Sequence, residues 1–384
     1  MKKRSGQCIS QMGRYKAFVP SELPPKPPVK IEGELKDLLK EANLILARLD
    51  GFSYVIPNVD LFVSMYVKKE ALLSAQIEGT QASLENVFEF QSTDGQELEN
   101  ISDVEEVVNY IKALNYGIKK LEKFPMSLRL IKELHAILMQ GVRGAEKTPG
   151  EFKKSQNWIG PAGCSLDTAT FVPPSPQDTI KAMGDLENYM HSEYQLPKLV
   201  DCALIHYQFE TIHPFLDGNG RLGRLLITFY LSWKDLLEKP LLYMSYYLKK
   251  NRQEYYDRLG LVRKNGDYEQ WIRFFLEGVI QTSRSAIDDA KKILQLREKD
   301  KNLLWEKDIS SRFAVAFLEK LFYMPYVTVK DVQQELEISY QTASNLVKSF
   351  EDIGILREIT GKKRGKRFAY KNYLDILAEG TKPL

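Results

Sequence analysis

The stretch His213-Pro214-Phe215-Leu216-Asp217-Gly218-Asn219-Gly220-Arg221-Leu222-Gly223-Arg224 constrains this chain more than any other. Upstream, Ala203, Leu204, Tyr207 and Ile212 mark Asp201 to Ile212 as a buried helix. Pro214 cannot continue it, and the residue before a proline favours extended backbone, so the helix is expected to end near His213. Gly218, Asn219 and Gly220 all tolerate positive φ, which lets the chain fold into a concave nest of backbone N–H groups. From Arg221 the helical spacing resumes with Leu222, Leu225, Leu226, Phe229 and Tyr230. The glycines therefore sit at a helix N-terminus, where unpaired donors and the positive end of the dipole favour an anion.

The side chains of this stretch suit a metal-bound polyphosphate. Asp217 is a hard oxygen ligand that fits Mg2+, with phosphate and water supplying the remaining ligands. Arg221 and Arg224 are three apart and share a helix face, and their forks match phosphate oxygens. His213 can take a proton near neutral pH, and Phe215 anchors the loop in the core. Other readings compete less well. A plain helix–loop–helix turn explains the Gly and Asn residues but not the arginines or the histidine. A calcium loop needs more carboxylates, and a zinc site needs more His or Cys than His206, which reads as a core residue.

His213 to Arg224 resembles, at every defined position, the core motif of the Fic family, HPFx[D/E]GNGRxxR. Members typically transfer AMP from ATP to a protein hydroxyl. The resemblance implies a mostly α fold: a Fic-type helical bundle with a β-hairpin flap, followed here by a winged helix. It also implies ATP and Mg2+, with His213 as the catalytic base and Asp217 at the metal. Gly218, Asn219, Gly220, Arg221 and Arg224 would hold the phosphates, with Arg221 at the β- and Arg224 at the γ-phosphate. A second resemblance lies upstream. In Ser74-Ala75-Gln76-Ile77-Glu78-Gly79, Gly79 is a helix C-cap, yet Glu78 sits at the end of the dipole that favours cations. Ser74, Glu78 and Gly79 match the family's inhibitory motif, [S/T]xxxE[G/N], whose glutamate pairs with the second arginine, here Arg224.

Composition limits the remaining choices. A net charge of +3 does not argue for nucleic acid as the main partner. Three unpatterned cysteines, Cys8, Cys164 and Cys202, read as reduced thiols, hence a cytoplasmic protein. The basic start lacks the apolar core of a signal peptide, and no apolar run is long enough for a bilayer, so no membrane partner is expected.

In chain order, residues 1–30 read as an irregular Pro-rich arm. Residues 31–100 read as a helical region, with a turn at Pro57-Asn58, that carries the inhibitory motif, and 101–282 as the catalytic bundle. Within the bundle, His135 reads as a packed core residue. Asn157-Trp158-Ile159 and Thr170-Phe171-Val172 read as the strands of a hairpin, which the resemblance makes a flap that aligns a target by strand pairing. Aromatic faces suit adenine, and the resemblance assigns Tyr246 and Tyr247 to the nucleotide pocket. Residues 283–309 read as a charged, solvated linker helix. Residues 310–384 follow a helix–helix–helix–strand–strand order that reads as a winged helix, with Lys362, Lys363, Arg364, Lys366 and Arg367 on the wing and Gln341, Ser344, Asn345 and Lys348 outward on the recognition helix.

The expected partner is a protein Tyr, Thr or Ser hydroxyl, of this chain or another. DNA contact through the winged helix, protein recruitment and homodimerisation remain alternatives for the C-terminal unit. Transfer of another phosphate-containing group, AMP removal, or a DNA-binding regulator with a nucleotide-sensing Fic unit are the alternatives for function.

Overall fold

The computed structural model describes residues 4–11, 15–54, 59–93, 101–161, 163–192, 196–361 and 364–382. The expected turn at Pro57-Asn58 and the wing residues Lys362 and Lys363 lie outside the described residues.

The N-terminal arm is more regular than its prolines suggest. Strand β1 (Gly6–Ser10) pairs antiparallel with β2 (Lys16–Pro20), Cys8 opposite Phe18. The prolines begin only at Pro20, so the ladder keeps its donors. Arg4 ties the arm down, donating to Glu269 at 2.7 and 2.9 Å and to the carbonyls of Pro27, Pro28 and Gly266.

Helices then dominate, as the sequence predicts. Helix α1 (Gly33–Ser53) buries Leu35, Leu39, Ala42, Leu46 and Leu49 on one face, laid along α11 (Tyr268–Glu306). Next come α2 (Val59–Ile77), α3 (Leu84–Thr93), α4 (Ile101–Leu121), α5 (Leu128–Leu138) and α6 (Pro176–Met190). Ser127 and Ser175 cap α5 and α6, accepting from Leu130 N and Asp178 N.

At the centre run α7 (Lys198–Ile212) and α8 (Asn219–Trp233). Helix α7 is buried all round, so it carries almost no amphipathic signal. Around α8 pack α2, α4, α5, α7 and α9 (Met244–Lys250). The α4 contact depends on Gly117, where a Cβ would fall 2.3 Å from the Phe229 ring. Helix α10 (Arg252–Asn265) leads into α11.

Residues 283–306 form the second half of α11 rather than a free connector. They bury Ala286, Ala290, Ile293, Leu296 and Leu304. Beyond it lie α12 (Arg312–Leu321), β3 (Tyr326–Thr328), α13 (Val329–Leu336), α14 (Tyr340–Asp352), β4 (Arg357–Glu358), β5 (Arg367–Ala369) and α15 (Lys371–Leu377). The strands make an antiparallel sheet in the order β3-β5-β4. Tyr370 fastens this unit to α11, its hydroxyl donating to Asp300 at 2.6 Å. The chain then returns to α2, where Gln76 Nε2 donates to the Thr381 carbonyl at 2.8 Å.

The expected flap hairpin comes down to one bridge. Ile159 and Phe171 exchange backbone hydrogen bonds of 2.8 and 3.0 Å. The ladder goes no further, because Pro173 and Pro174 offer no N–H and Phe18 N donates to the Val172 carbonyl at 2.9 Å.

Candidate active site

Helix α7 ends at Ile212, two residues before the proline, but His213 is not extended. It adopts the left-handed conformation (φ 50°, ψ 61°), its N–H donating to Phe209 O at 2.9 Å. A non-glycine residue in this region is strained and needs its surroundings to hold it. Asn157 does so from the flap, its Nδ2 donating to the carbonyls of His213 (3.0 Å) and Phe215 (2.7 Å). Lys153 Nζ donates to His213 O at 3.0 Å and to Asn157 Oδ1 at 2.7 Å. Sequence reasoning missed both residues. A lysine and an asparagine in a Gly- and Pro-rich stretch look like ordinary surface, and only their burial gives them away.

The turn that follows is closed from within. Asn219 Oδ1 accepts from Phe215 N at 2.9 Å and its Nδ2 donates to Phe215 O at 2.8 Å. The side-chain amide is therefore a brace and not a free phosphate ligand, which corrects the sequence expectation. Only the backbone of Asn219 is left for an anion.

The two glycines differ as well. Gly218 is left-handed (φ 73°) and caps α8, and a Cβ there would meet Met139 Sδ at 2.7 Å. Gly220 lies inside α8, so its freedom of φ is not what the site uses. Its missing side chain makes room instead: a Cβ would stand 2.1 Å from Glu78 Oε1.

His135 is more than core filler. Its ring stacks on Phe215 at 3.7 Å. Nδ1 accepts from Gly150 N at 2.8 Å, which leaves Nε2 to donate to the Asp217 carbonyl at 3.0 Å. Burial pulls this imidazole down to about 4, so it stays neutral.

Asp217 faces the solvent side, with Oδ1 accepting from Gly218 N at 2.8 Å and Oδ2 from Lys147 Nζ at 3.0 Å. Burial pushes its pKa up. The Lys147 and Gly218 hydrogen bonds, with the Lys147 and Arg221 charges, more than offset that and hold it below the usual aspartate value. Among the described residues no group of three His, Cys, Asp or Glu could hold a metal. A single carboxylate fits a Mg2+ that takes most of its ligands from phosphate and water.

Both arginines of α8 are buried. Arg221 Nη1 makes an ion pair with Glu106 at 3.4 Å without hydrogen-bond geometry, Nη2 donates to Met139 Sδ at 3.4 Å, and Nε meets no hydrogen-bond acceptor. Burying such donors unmet is costly, so they mark a place where an anion is expected.

Arg224 is held through Nε and Nη2. Nε donates to Ser74 Oγ at 2.8 Å, and Nη2 to Ser74 O at 2.9 Å and to Glu78 Oε1 at 2.7 Å. Glu78 stands just past the end of α2, where Gly79 turns the chain with φ 101°. Burial raises the pKa of Glu78, but Arg224, Arg221 and His213 together bring it below the usual glutamate value, so it is ionised against the guanidinium.

His213 Nδ1 has no hydrogen-bond partner. Burial lowers this imidazole to about 4, the Lys153 charge adds to that, and Glu78 opposes it. At neutral pH it is a free proton acceptor.

Tyr246 and Tyr247 stand away from this cluster. Tyr246 lies against Tyr243 and Gly380, and Tyr247 packs on Phe274 with its hydroxyl donating to Glu277 at 3.5 Å. Tyr255 and Tyr256 both feel the charges of Glu78 and Arg224; Tyr255 is buried, whereas Tyr256, with Arg252 beside its ring, has 38% of its surface open.

Residues 36–119 match the Fic/DOC family N-terminal model, and residues 125–231 match the Fic/DOC family model. Over 221 residues the chain is 30% identical to "Protein adenylyltransferase Fic" of Drosophila willistoni and to that of Drosophila grimshawi. These matches take in 55% of this chain but 40% and 42% of those proteins, so the chain spans well under half the length of these curated relatives. In fold, it is similar to a Fic family protein from Desulfovibrio desulfuricans G20 (TM-score 0.58, 21% identity, 89% of this chain and 97% of that one). It is also similar to a Fic domain containing signaling protein from Bacteroides thetaiotaomicron VPI-5482 (TM-score 0.51, 21% identity, 66% and 97%). Two adjoining family matches across the helices that build the site place residues 36–119 and 125–231 of this chain in the Fic/DOC family.

Proposed function

We propose that this chain is a protein adenylyltransferase that moves AMP from ATP to a Tyr, Thr or Ser hydroxyl of a protein, and that Glu78 holds it in check. The observation that carries the reading is the grip on Arg224: a buried guanidinium in the anion-binding face of α8 is taken by a carboxylate from another segment. Support for AMP as the transferred group comes from the names of the relatives.

The backbone N–H groups at the start of α8 and the spare donors of Arg221 receive phosphate oxygens, which fixes the triphosphate in line with the incoming hydroxyl. Arg224 takes the γ-phosphate once Glu78 lets go. Asp217 would hold Mg2+, which neutralises charge on the phosphates when bound; Lys147 must then yield Oδ2. Tyr256 offers an open aromatic face near Arg224 for the base. His213 removes the proton of the hydroxyl as its oxygen bonds to the α-phosphorus, and the bond to pyrophosphate breaks.

One carboxylate is enough for the brake. A hundredfold repression needs ~2.7 kcal/mol, and a hydrogen bond between charged groups is worth roughly 1.5–3 kcal/mol.

Residues 310–384 read as a winged helix, supported by the order helix, strand, helix, helix, strand, strand and by the β3-β5-β4 sheet. Free thiols at Cys8, Cys164 and Cys202 fit a cytoplasmic setting, and among the described residues no helix is long and apolar enough to cross a membrane.

The test is incorporation of label from α-labelled ATP with Mg2+. Glu78→Gly should raise self-labelling by roughly a hundredfold. Equal labelling of wild type and variant refutes the brake, and no labelling of either across a panel of protein substrates refutes AMP transfer.

A further inference from the structure

Lys153 is 2% exposed and pairs with no carboxylate among the described residues. A buried cation without a counter-ion is costly, and an apolar side chain of the same length would fill the space more cheaply. What the ammonium touches explains why it is there. Its Nζ donates to Asn157 Oδ1 (2.7 Å), His213 O (3.0 Å) and Ile212 O (3.4 Å), while the Lys153 backbone N–H donates to Pro214 O at 2.9 Å. Asn157 Nδ2 takes the same His213 carbonyl and that of Phe215. Every carbonyl from Ile212 to Phe215 is therefore held by these two residues, across the one strained position of the loop.

We propose that Lys153, seated by Asn157, is the positioning residue of His213: it fixes the left-handed turn that presents the imidazole and brings a positive charge with no carboxylate of its own to the backbone that carries the ring. The inference rests on the reading of His213 as the base.

The surroundings of both groups agree with it. Burial pushes Lys153 down to about 7, while three carbonyl oxygens match the three donors of an ammonium and hold its proton on. Facing the His213 ring are Lys153 and Arg263, which disfavour its charged form, and Glu78 and the Glu210 backbone, which favour it. Burial is what chiefly keeps the ring neutral; withdrawal of Glu78 removes the opposing carboxylate and leaves Lys153 and Arg263 to add to that effect.

A simple clamp would make the same hydrogen bonds, so the test separates charge from grip. In the full chain carrying Glu78→Gly, Lys153→Gln keeps a donor but loses the charge, and Lys153→Arg keeps the charge. The chain has four histidines, so ring-labelled NMR resolves His213 once a His213→Gln spectrum assigns it. Lys153→Gln should lower kcat roughly tenfold to a hundredfold with KM for ATP within about twofold. It should also raise the His213 titration midpoint by about one pH unit. Lys153→Arg should keep both.

A Lys153→Gln protein whose His213 midpoint is unmoved, or whose loss appears in KM and not kcat, overturns the proposal. Should Lys153→Gln fail to fold, Lys153→Arg decides alone: a folded Arg variant with a displaced His213 midpoint overturns it, and a retained midpoint and kcat support it. The NMR midpoint needs no transferred group, so it stands even if AMP transfer is the wrong reaction.

Discussion

The two halves of the His213–Arg224 stretch are held in opposite ways. From His213 to Asn219 the loop is fixed through its backbone by many bonds at once: Asn219 closes it on Phe215, His135 holds Asp217, and Lys153 and Asn157 hold the strained backbone. Several of these bonds would have to break together for it to move. From Arg221 to Arg224 the guanidiniums sit on a rigid helix, but their partners come from elsewhere: Ser74 and Glu78 at the end of α2, and Glu106 on α4. Of these, Ser74 and Glu106 are buried within their helices, and Glu78 alone lies past a helix end with a partly open side chain. Under the proposed function, a site built this way would keep its chemistry constant while Glu78 varies its access to the phosphates.

Three substitutions can break or sharpen that contrast. The largest effect is expected at the fixed half. His213→Ala, in a Glu78→Gly background, should cut transfer by about 10²–10⁴ and leave thermal melting unchanged, since the ring carries none of the loop's braces. Transfer at the parent rate removes His213 from the chemistry, and a collapsed melting temperature makes the ring a brace after all.

An intermediate effect is expected at the exchangeable half. Ser74→Ala takes one acceptor from Arg224 and leaves the Glu78 contact in place. Loss of one such bond costs about 1 kcal/mol, or roughly a fivefold rise in labelling. A rise as large as that of Glu78→Gly would mean the serine, and not the carboxylate, sets the brake.

The smallest effect concerns the seam. Glu210 lies one turn before His213, and its Oε1 stands 2.1 Å from where a Gly223 Cβ would be. Burial raises its carboxyl, and with Glu78 outweighs the pull of Arg224 and Arg263, to about 8. Its folded value is raised, so the stability it contributes is complete below about 4.5 and is lost as pH rises towards 8. Glu210→Gln should therefore gain on wild type in melting temperature across that window, and the gain should level off above it. A difference that does not change with pH would show that Glu210 is ionised in the folded protein.

How far the sequence could be read followed how local each signal was. The end of α7, the left-handed glycine at 218 and the shared face of Arg221 and Arg224 depend on neighbours in the chain. The Glu78–Arg224 contact spans 146 positions, yet it was legible because a carboxylate at a helix C-terminus needs a cation and the family motif supplied one.

Other features depend on distant burial and could not be read. The side chain of Asn219 was assigned to phosphate, but an amide that can brace the turn on Phe215 does so. Gly220 looked like a φ-permissive residue and is instead a gap left for Glu78. Tyr246 and Tyr247 could not be told from Tyr256 by composition, since what separates them is which charges lie across the fold. The short hairpin in the proline-rich arm and the single-bridge flap show the same limit, because pairing depends on which donors remain and not on local propensity alone.

The central claim is that one guanidinium serves two partners, Glu78 at rest and the triphosphate at work. The most direct measurement is a double-mutant cycle on the rate of AMP transfer from Mg-ATP, with wild type, Glu78→Gly, Arg224→Ala and both together. The account predicts that Glu78→Gly activates only when Arg224 is present, so the double variant falls to the wild-type rate or below. A double variant as fast as Glu78→Gly alone would contradict it.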